Sequence, residues 1–176
     1  MAVFSAADGQ DPAYRLLYRS PVTLFWRRTL LEETVGRLAE FGYQLVRMDA
    51  AEWRTDDAMH DAFAAALDFP DYYGRNLDAL NDCMRDVDGF EYGANPDATG
   101  LVLVFTGYDT FARHCPRPAQ IVLDILADHS RTEMLVGHRL LVLVQTGDPD
   151  LRFEAVGAAP VMWNDAEWLD SARRDS

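Results

Sequence analysis

Residues 69–87 read FPDYYGRNLDALNDCMRDV, and the rest of the chain is organised around them. Pro70 and Gly74 punctuate the start, and Asn76 is a cap for a helix from about Leu77 to Val87. Leu77, Leu80, Met84 and Val87 recur at helical spacing as one apolar stripe, with Cys83 on the same side. Asp78 and Asp82, four residues apart, stack on roughly the opposite face, and Asp86 follows one turn on. Like charges so spaced cost roughly 0.2–0.5 kcal/mol unless a cation meets them. The plain reading is a solvated acidic face. Tyr72 and Tyr73, in a tight Gly-containing turn beside these carboxylates, open a second reading, a surface built for a partner. Tyr73 is expected mainly in the core with its hydroxyl bonded, and Tyr72 at the surface. The plain reading of Gly74 is a backbone position with positive φ.

Upstream, Met59, Phe63 and Leu67 form a helical seam that Thr55 caps, with Asp56 and Asp57 in the first turn where the helix dipole favours carboxylates. Tyr43–Met48 alternates straight after Gly42, which predicts a strand. Thr29-Leu-Leu-Glu32 has the capping-box pattern and opens a helix through Leu31, Val35, Leu38 and Phe41 that Gly42 ends. Arg15–Tyr18 and Val22–Trp26 flank Ser20-Pro21, and at least one is expected as a strand. Residues 1–12, small and polar, are expected to be mobile.

Downstream, 88–100 (DGFEYGANPDATG) carries three glycines and a proline and reads as an exposed loop. Leu101–Phe105 is a continuous apolar run, as in a strand buried on both faces. Tyr108–Arg113 predicts a short helical turn, Pro116 and Pro118 a break, and Ala119–Ala127 a helix burying Ile121, Val122, Ile125 and Leu126. A turn around Thr132–Val136 leads into a strand at Leu140–Val144. The tail is expected extended at Phe153–Val156 and Val161–Trp163. It then closes in a short helix opened by Asn164-Asp-Ala-Glu167 and anchored by Trp168 and Leu169. Strands at 43–48, 101–105 and 140–144 with helices between them imply an α/β fold, a parallel sheet with right-handed crossovers.

The 176 residues suit one domain with appendages, and 49% hydrophobic content suffices for a core. Apolar runs of five residues do not span a bilayer, and no basic segment with an apolar stretch behind it opens the chain. With only Cys83 and Cys115, both read as reduced thiols, a cytoplasmic location is expected. Twenty-nine acidic against sixteen basic residues give a formal charge of −13. That balance argues against nucleic acid as a ligand and for a basic protein partner.

The chain shows no glycine-rich phosphate loop, no serine elbow and no Cys/His pair at zinc spacing. His60, His114, His129 and His138 are scattered and read as ordinary core or surface residues. Trp26 and Trp163 fall in expected strands, while Trp53 lies in a loop before a helix. Asp78 and Asp82 as a Mg²⁺ site or an acid/base pair would need further groups from elsewhere. No metal or cofactor is expected.

The string from Pro70 to Met84 resembles the signature of the barstar family, intracellular inhibitors of barnase-type ribonucleases. That signature is Pro, an acidic residue, Tyr-Tyr-Gly, any residue, Asn-Leu-Asp-Ala-Leu, a variable position and Asp-Cys-Leu. Here it reads Pro70, Asp71, Tyr72-Tyr73-Gly74, Arg75, Asn76-Leu77-Asp78-Ala79-Leu80, Asn81 and Asp82-Cys83-Met84. The match is strongest over 67–87, and the order of elements extends it to 43–146.

The resemblance implies a barstar-like fold, a small three-stranded parallel sheet packed with helices. Here it is extended by an N-terminal strand–helix addition (1–42) and a C-terminal extension (147–176). It implies an inhibitor rather than an enzyme, with no cofactor, acting on a basic ribonuclease or nuclease toxin. Contact is implied through Tyr72, Gly74 and Asn76 in the loop and through Asp78 and the more central Asp82 on the helix. Asn81 stands where barstar carries a tryptophan, Val87 where a second aromatic contact would lie, and Asp128 maps loosely onto a later acidic contact. A barstar-like binding module with no nuclease target, working through its additions, stays open as the alternative.

Overall fold

The computed structural model describes residues 9–174. Along them run α1 (Pro12–Arg19), β1 (Val22–Phe25), α2 (Arg28–Glu40), β2 (Gln44–Asp49) and a 3-10 turn at Ala50–Glu52. Then come α3 (Asp56–Ala66), α4 (Leu77–Asp88), β3 (Leu101–Thr106), α5 (Tyr108–His114), α6 (Pro116–Leu135), β4 (Leu140–Gln145), β5 (Met162–Trp163) and α7 (Asp170–Arg174). The sheet has five strands in the order β2-β3-β4-β1-β5, every ladder parallel. The three expected strands are therefore its β2-β3-β4 part, with Leu101 opposite both Gln44 and Leu140.

Parallel strands covered on both sides must be apolar throughout, and Leu101–Phe105 and Leu140–Val144 are buried at every position. Alternation then divides the core. Leu103, Phe105, Val142 and Val144 face α3, α4, α5 and α6. Val102, Val104, Leu141 and Leu143 face the other way, onto Phe25, Leu31, Val35 and Leu38. The N-terminal unit thus both lengthens the sheet through β1 and covers its second face through α1 and α2. Trp53 lies fully in the first core, ringed by Phe63, Phe105, Tyr108 and Phe111 at centroid distances of 5.2–6.3 Å.

Of the two N-terminal runs, Val22–Phe25 is the expected strand, while Arg15–Tyr18 is helical, because the Asp11 side chain accepts the Ala13 N–H and Pro12 takes the first helical position, where its missing donor costs nothing. Several other local expectations are corrected. Asp11 and Pro12 are buried, against the expectation of a mobile start, whose residues 1–8 lie outside the described ones. The Thr29–Glu32 capping box does not form. Helix α2 begins at Arg28 with no side-chain cap, and Glu32 instead holds Arg47 of β2 through two 2.8 Å hydrogen bonds. The amides of Trp26 and Arg27, leading into α2, donate to the carboxylate of Glu167 at 2.7 and 2.8 Å.

Pro116 and Pro118 open α6 rather than break it, and α6 runs unbroken to Leu135. The break falls at Cys115, where the backbone leaves helical geometry. In the tail, 153–156 forms no strand, though Val156 makes an isolated bridge to Ala159. Asn164–Glu167 is a turn, and the closing helix starts only at Asp170. Trp168 and Leu169 are 53% and 62% exposed and do not anchor it. The anchors are the buried Glu167 and Arg173, whose guanidinium donates to the carbonyls of Pro149, Glu167 and Trp168 and lies 4.4 Å from the Trp163 ring centroid.

Candidate functional site: an acidic helix and the turn before it

Helix α4 forms where the sequence places it. Asn76 has extended backbone, and its side-chain oxygen accepts the Ala79 N–H at 2.8 Å. Leu80, Cys83, Met84 and Val87 are buried against the sheet, while Leu77 is half-buried. Val87, fully buried, has no surface to offer a partner. Packing of this stripe and of α4 against α6 holds the opposite face of the helix in one orientation.

The preceding turn is closed by the Tyr73 N–H donating to Pro70 O at 2.9 Å. Tyr73 is half-buried with its ring edge-on to Phe69, and its hydroxyl lies 2.5 Å from Nδ1 of the buried His60. Tyr72 is 81% exposed. The left-handed residue of the turn is Arg75 (φ 53°), not Gly74. Gly74 answers a different need, since a Cβ there would press on Asn76 Nδ2 at 3.3 Å and Ala79 Cβ at 3.4 Å, crowding the helix cap. Arg75 reaches Asp61 at 2.9 Å and Asp57 at 3.6 Å, tying the turn to α3.

Asp78 and Asp82 both project into solvent. Asp78 makes no ion pair among the described residues, as the sequence suggests. Asp82 departs from that expectation, because Arg85 one turn on pairs with it at 3.1 Å, both side chains more than 60% exposed. An exposed pair of this kind contributes about 0–1 kcal/mol and leaves the carboxylate available. Asp86 turns sideways to accept from the Tyr92 hydroxyl at 3.0 Å. From 56 to 88 the chain carries nine aspartates and two arginines, so much of its negative charge gathers on α3, α4 and the turn between them.

Two further positions behave differently. Asn81 is half-buried, and its side-chain oxygen lies 2.9 Å from Nε2 of His129 on α6. Asp128, beside His129 in sequence, is exposed and pairs with Arg131 at 3.5 Å. So Tyr72, Gly74, Asn76, Asp78 and Asp82 are all exposed, on α4 or the turn before it. Asn81 meets His129 of its neighbouring helix, and Asp128 is exposed on that helix. His60, Arg75, Arg85 and His129 shape this site, and sequence reasoning passed over all four. The i, i+3 spacing of Asp82 and Arg85 was the one signal available. Among the described residues, no group of three His, Cys, Asp or Glu side chains is placed to hold a metal ion. No helix there is long and apolar enough to cross a membrane.

Burial holds the pKa of His60 below its ordinary 6.5, against a weaker opposite pull from Asp56, Asp57 and Asp61. A histidine whose folded pKa is depressed takes up its proton more readily once unfolded. Its contribution to stability is then full above the unfolded value and is lost as pH falls through the folded one. Denaturant midpoints measured from about pH 8 to pH 5 are expected to fall below roughly pH 6.5. His60→Gln should flatten that acid slope. A wild-type midpoint that holds steady or rises on acidification would remove His60 as its source.

Three comparisons with known proteins bear on this site. The family model described as "Barstar (barnase inhibitor)" matches residues 43–145, more than half of the chain. A Bacillus subtilis (strain 168) protein named "Putative ribonuclease inhibitor YrdF" is 51% identical over 37 residues, which is 21% of this chain and 41% of that relative. Less than half of that relative's length is therefore spanned. Among solved structures, the Walker-type ATPase PABY2304 of Pyrococcus abyssi is similar at a TM-score of 0.44 and 11% identity, over 82% of this chain and 45% of that one. A likeness of that size supports no inference. The family match, over β2 to β4 with α4 and its turn inside it, carries the assignment: this chain belongs to the Barstar (barnase inhibitor) family.

Proposed function

We propose that the chain is a protein inhibitor of a basic ribonuclease or nuclease toxin, acting in the cytoplasm in the manner of an immunity protein and catalysing nothing itself. The observation that carries this reading is the exposed Tyr72 in the turn together with the exposed Asp78 and Asp82 on a helix held from behind by Leu80, Met84 and Val87. A ribonuclease binds phosphates with Arg, Lys and His, and carboxylates on a rigid helix occupy the same places. The crowding of aspartates on α3 and α4 is relieved when cations arrive, and a net charge of −13 steers a basic partner inward. Gly74 and Asn76 give the turn its close approach, while residues 9–42 and 147–174 act as additions to a unit at 43–146.

A second reading rests on those additions. Tyr14, Tyr18 and Trp168 are exposed near one another, with Arg15 and Arg19 between them. A binding module without a nuclease target would use that aromatic patch instead. The two readings separate in one experiment. RNA hydrolysis by barnase and by a panel of small basic ribonucleases is followed as the chain is titrated in, at low and at high salt. The inhibitor reading expects stoichiometric loss of activity for at least one enzyme, with association slowed by salt. Full activity across the panel leaves the inhibitor reading without a target and favours the aromatic patch.

A further inference from the structure

The second face of the sheet carries a cavity that no part of the family match builds. Over β3 and β4 that face is closed, with Val102, Val104, Leu141 and Leu143 packed on Leu31, Val35 and Leu38. Beyond β1 the sheet continues into β5, and there the helical cover stops short. Thr23 of β1 stands opposite Met162 of β5, so both side chains project to one side, which Phe25 shares two residues on. Thr23, Phe25 and Met162 thus floor a cavity of about 640 Å³, with Leu16 of α1 and Leu30 of α2 in its apolar walls. Every described lining residue falls within 9–41 or 162–166, outside the 43–145 span.

Two observations make this a binding site rather than a gap in packing. The first is a polar group with nothing to bind. Thr23 is 5% exposed, yet its hydroxyl makes no hydrogen bond among the described residues. No sealed side-chain nitrogen or oxygen there lacks a partner, so this hydroxyl opens into the cavity that Thr23 lines. Valine would fill the same space without the cost of burying an unused hydroxyl.

The second is charge. Arg15, Arg19 and Arg37 line the cavity of a chain whose net charge is −13. Among the lining carboxylates, Asp11 is held from outside by Arg139 at 2.9 Å and by the Tyr43 hydroxyl at 2.7 Å. Asp165 pairs with Arg19 and lies 3.9 Å from the largely exposed Arg15. Glu33 and Arg37, four residues apart on α2, make no ion pair with each other or with any other described residue. With Asp11 neutralised, three guanidiniums stand against two carboxylates.

We infer that this cavity binds a small organic anion, a flat apolar body carrying one carboxylate. Its volume and its apolar walls with a few polar groups are those of a small-molecule site. The body lies on Phe25, Met162, Leu16 and Leu30, the Thr23 hydroxyl bonds a polar atom of it, and the carboxylate points to the exposed Arg37 and Arg15. A cation would meet the excess of guanidinium, and a neutral hydrocarbon would leave both Thr23 and Arg37 unused.

The test uses three indoles with one ring and different end groups: indole-3-acetate, its amide, and tryptamine. Each is titrated into the full chain, ¹³C-labelled at Met and Leu methyls, and followed by NMR. Indole-3-acetate should shift the Met162, Leu16 and Leu30 methyls with a Kd of roughly 1 mM or tighter, the amide should bind more weakly, and tryptamine most weakly. Arg37→Gln should cost the acetate roughly 2- to 5-fold, the worth of an exposed ion pair, and leave the amide nearly unchanged. Thr23→Val should weaken acetate and amide alike by roughly 2- to 10-fold, the worth of one hydrogen bond. Its Tm should hold or rise, which separates lost binding from lost folding.

No methyl shift at about 10 mM acetate, far above the value expected of so small a ligand, would overturn the inference. Equal affinity for the three indoles, or shifts confined to Leu169 beside the aromatic patch, would do the same. So would a fall in Tm for Thr23→Val, which would mean that the hydroxyl is already used within the fold. Contacts from residues 1–8 to the Met162 methyl in the free chain would make the chain's own start the occupant. A free-chain Met162 signal that moves with protein concentration would make it a second copy, and either result overturns the small-molecule site. Ribonuclease inhibition, present or absent, reports on α4 and leaves this outcome untouched.

Discussion

Under the inhibitor reading, replacing Asp82 with alanine is expected to weaken binding to a ribonuclease by roughly 2–5 kcal/mol, the range for truncating one member of a desolvated charge pair. That magnitude is taken as known, since the barnase–barstar pair is itself among its sources. The direction follows from the site. Asp82 is exposed in the free chain, central on the face of α4, and loosely held by Arg85, so a partner's cations can take its place beside the carboxylate. Most of the loss should appear as faster dissociation, because the long-range field of a −13 chain is hardly changed by one residue. Asp78→Ala should follow the same pattern more mildly.

Stability supplies the control. Asp82→Ala removes a repulsion with Asp78 and a surface pair with Arg85, each worth a few tenths of a kcal/mol, so the unfolding midpoint should stay within about 0.5 kcal/mol of wild type. Glu32→Ala, which loses its pair with Arg47 on β2, should leave affinity for the ribonuclease nearly unchanged. Isothermal titration and thermal unfolding on the three variants settle the matter. An Asp82→Ala chain that binds as tightly as wild type would mean that the acidic helix is not the contact, whatever family the chain belongs to.

What could be read from the sequence was what neighbours along the chain decide. Asn76 caps α4 because its side chain needs only the amide three residues on. Leu80, Met84 and Val87 are buried because helical spacing leaves them on one face, and that same geometry turns Asp78 and Asp82 outward. The strands at 101–105 and 140–144 were legible because a sheet covered on both sides demands unbroken apolar runs. Failures came where a distant group outcompeted a local one. Thr29 and Glu32 spell a capping box, yet a carboxylate about 140 residues away takes the amides before α2, and Glu32 is drawn to Arg47. Pro116 and Pro118 look like a break and act as a helix start, a choice that depends on where the preceding helix ends.

The site divides along the same line. Tyr72, Asp78 and Asp82 were placed correctly at the surface because exposure follows from helix phase and turn chemistry. The contact between Asn81 and His129 joins residues 48 positions apart, and no pattern near either one announces it. His60 is in the same position, since its bond to Tyr73 depends on how α3 packs under the turn.

Glu167→Ala should be the most destabilising single change outside the core. Glu167 is fully buried and ionisable, a combination tolerated only when hydrogen bonds replace water. Its carboxylate accepts from the amides of Trp26 and Arg27 and, at 2.6 Å, from the side chain of Asn164. Truncation takes this acceptor from the Trp26 and Arg27 amides at the point where β1 turns into α2, while Asn164 keeps its bond to Leu24 O, and it removes one of the ties between the tail and the N-terminal unit. At about 1–3 kcal/mol for each stranded donor, partly recovered by entering water, the expected cost is roughly 3–5 kcal/mol. For a domain of this size that is a fall in Tm of roughly 6–20 °C. Glu167→Gln keeps one accepting oxygen and should lose about half as much. Trp168→Ala is the contrasting variant, because an exposed Trp168 should cost within about 0.5 kcal/mol. Thermal unfolding of the three, with hydrogen exchange at Met162 and Trp163 reporting on β5, distinguishes a tail held by a buried carboxylate from one held by its aromatic residue. A larger drop for Trp168→Ala than for Glu167→Ala would reverse the assignment.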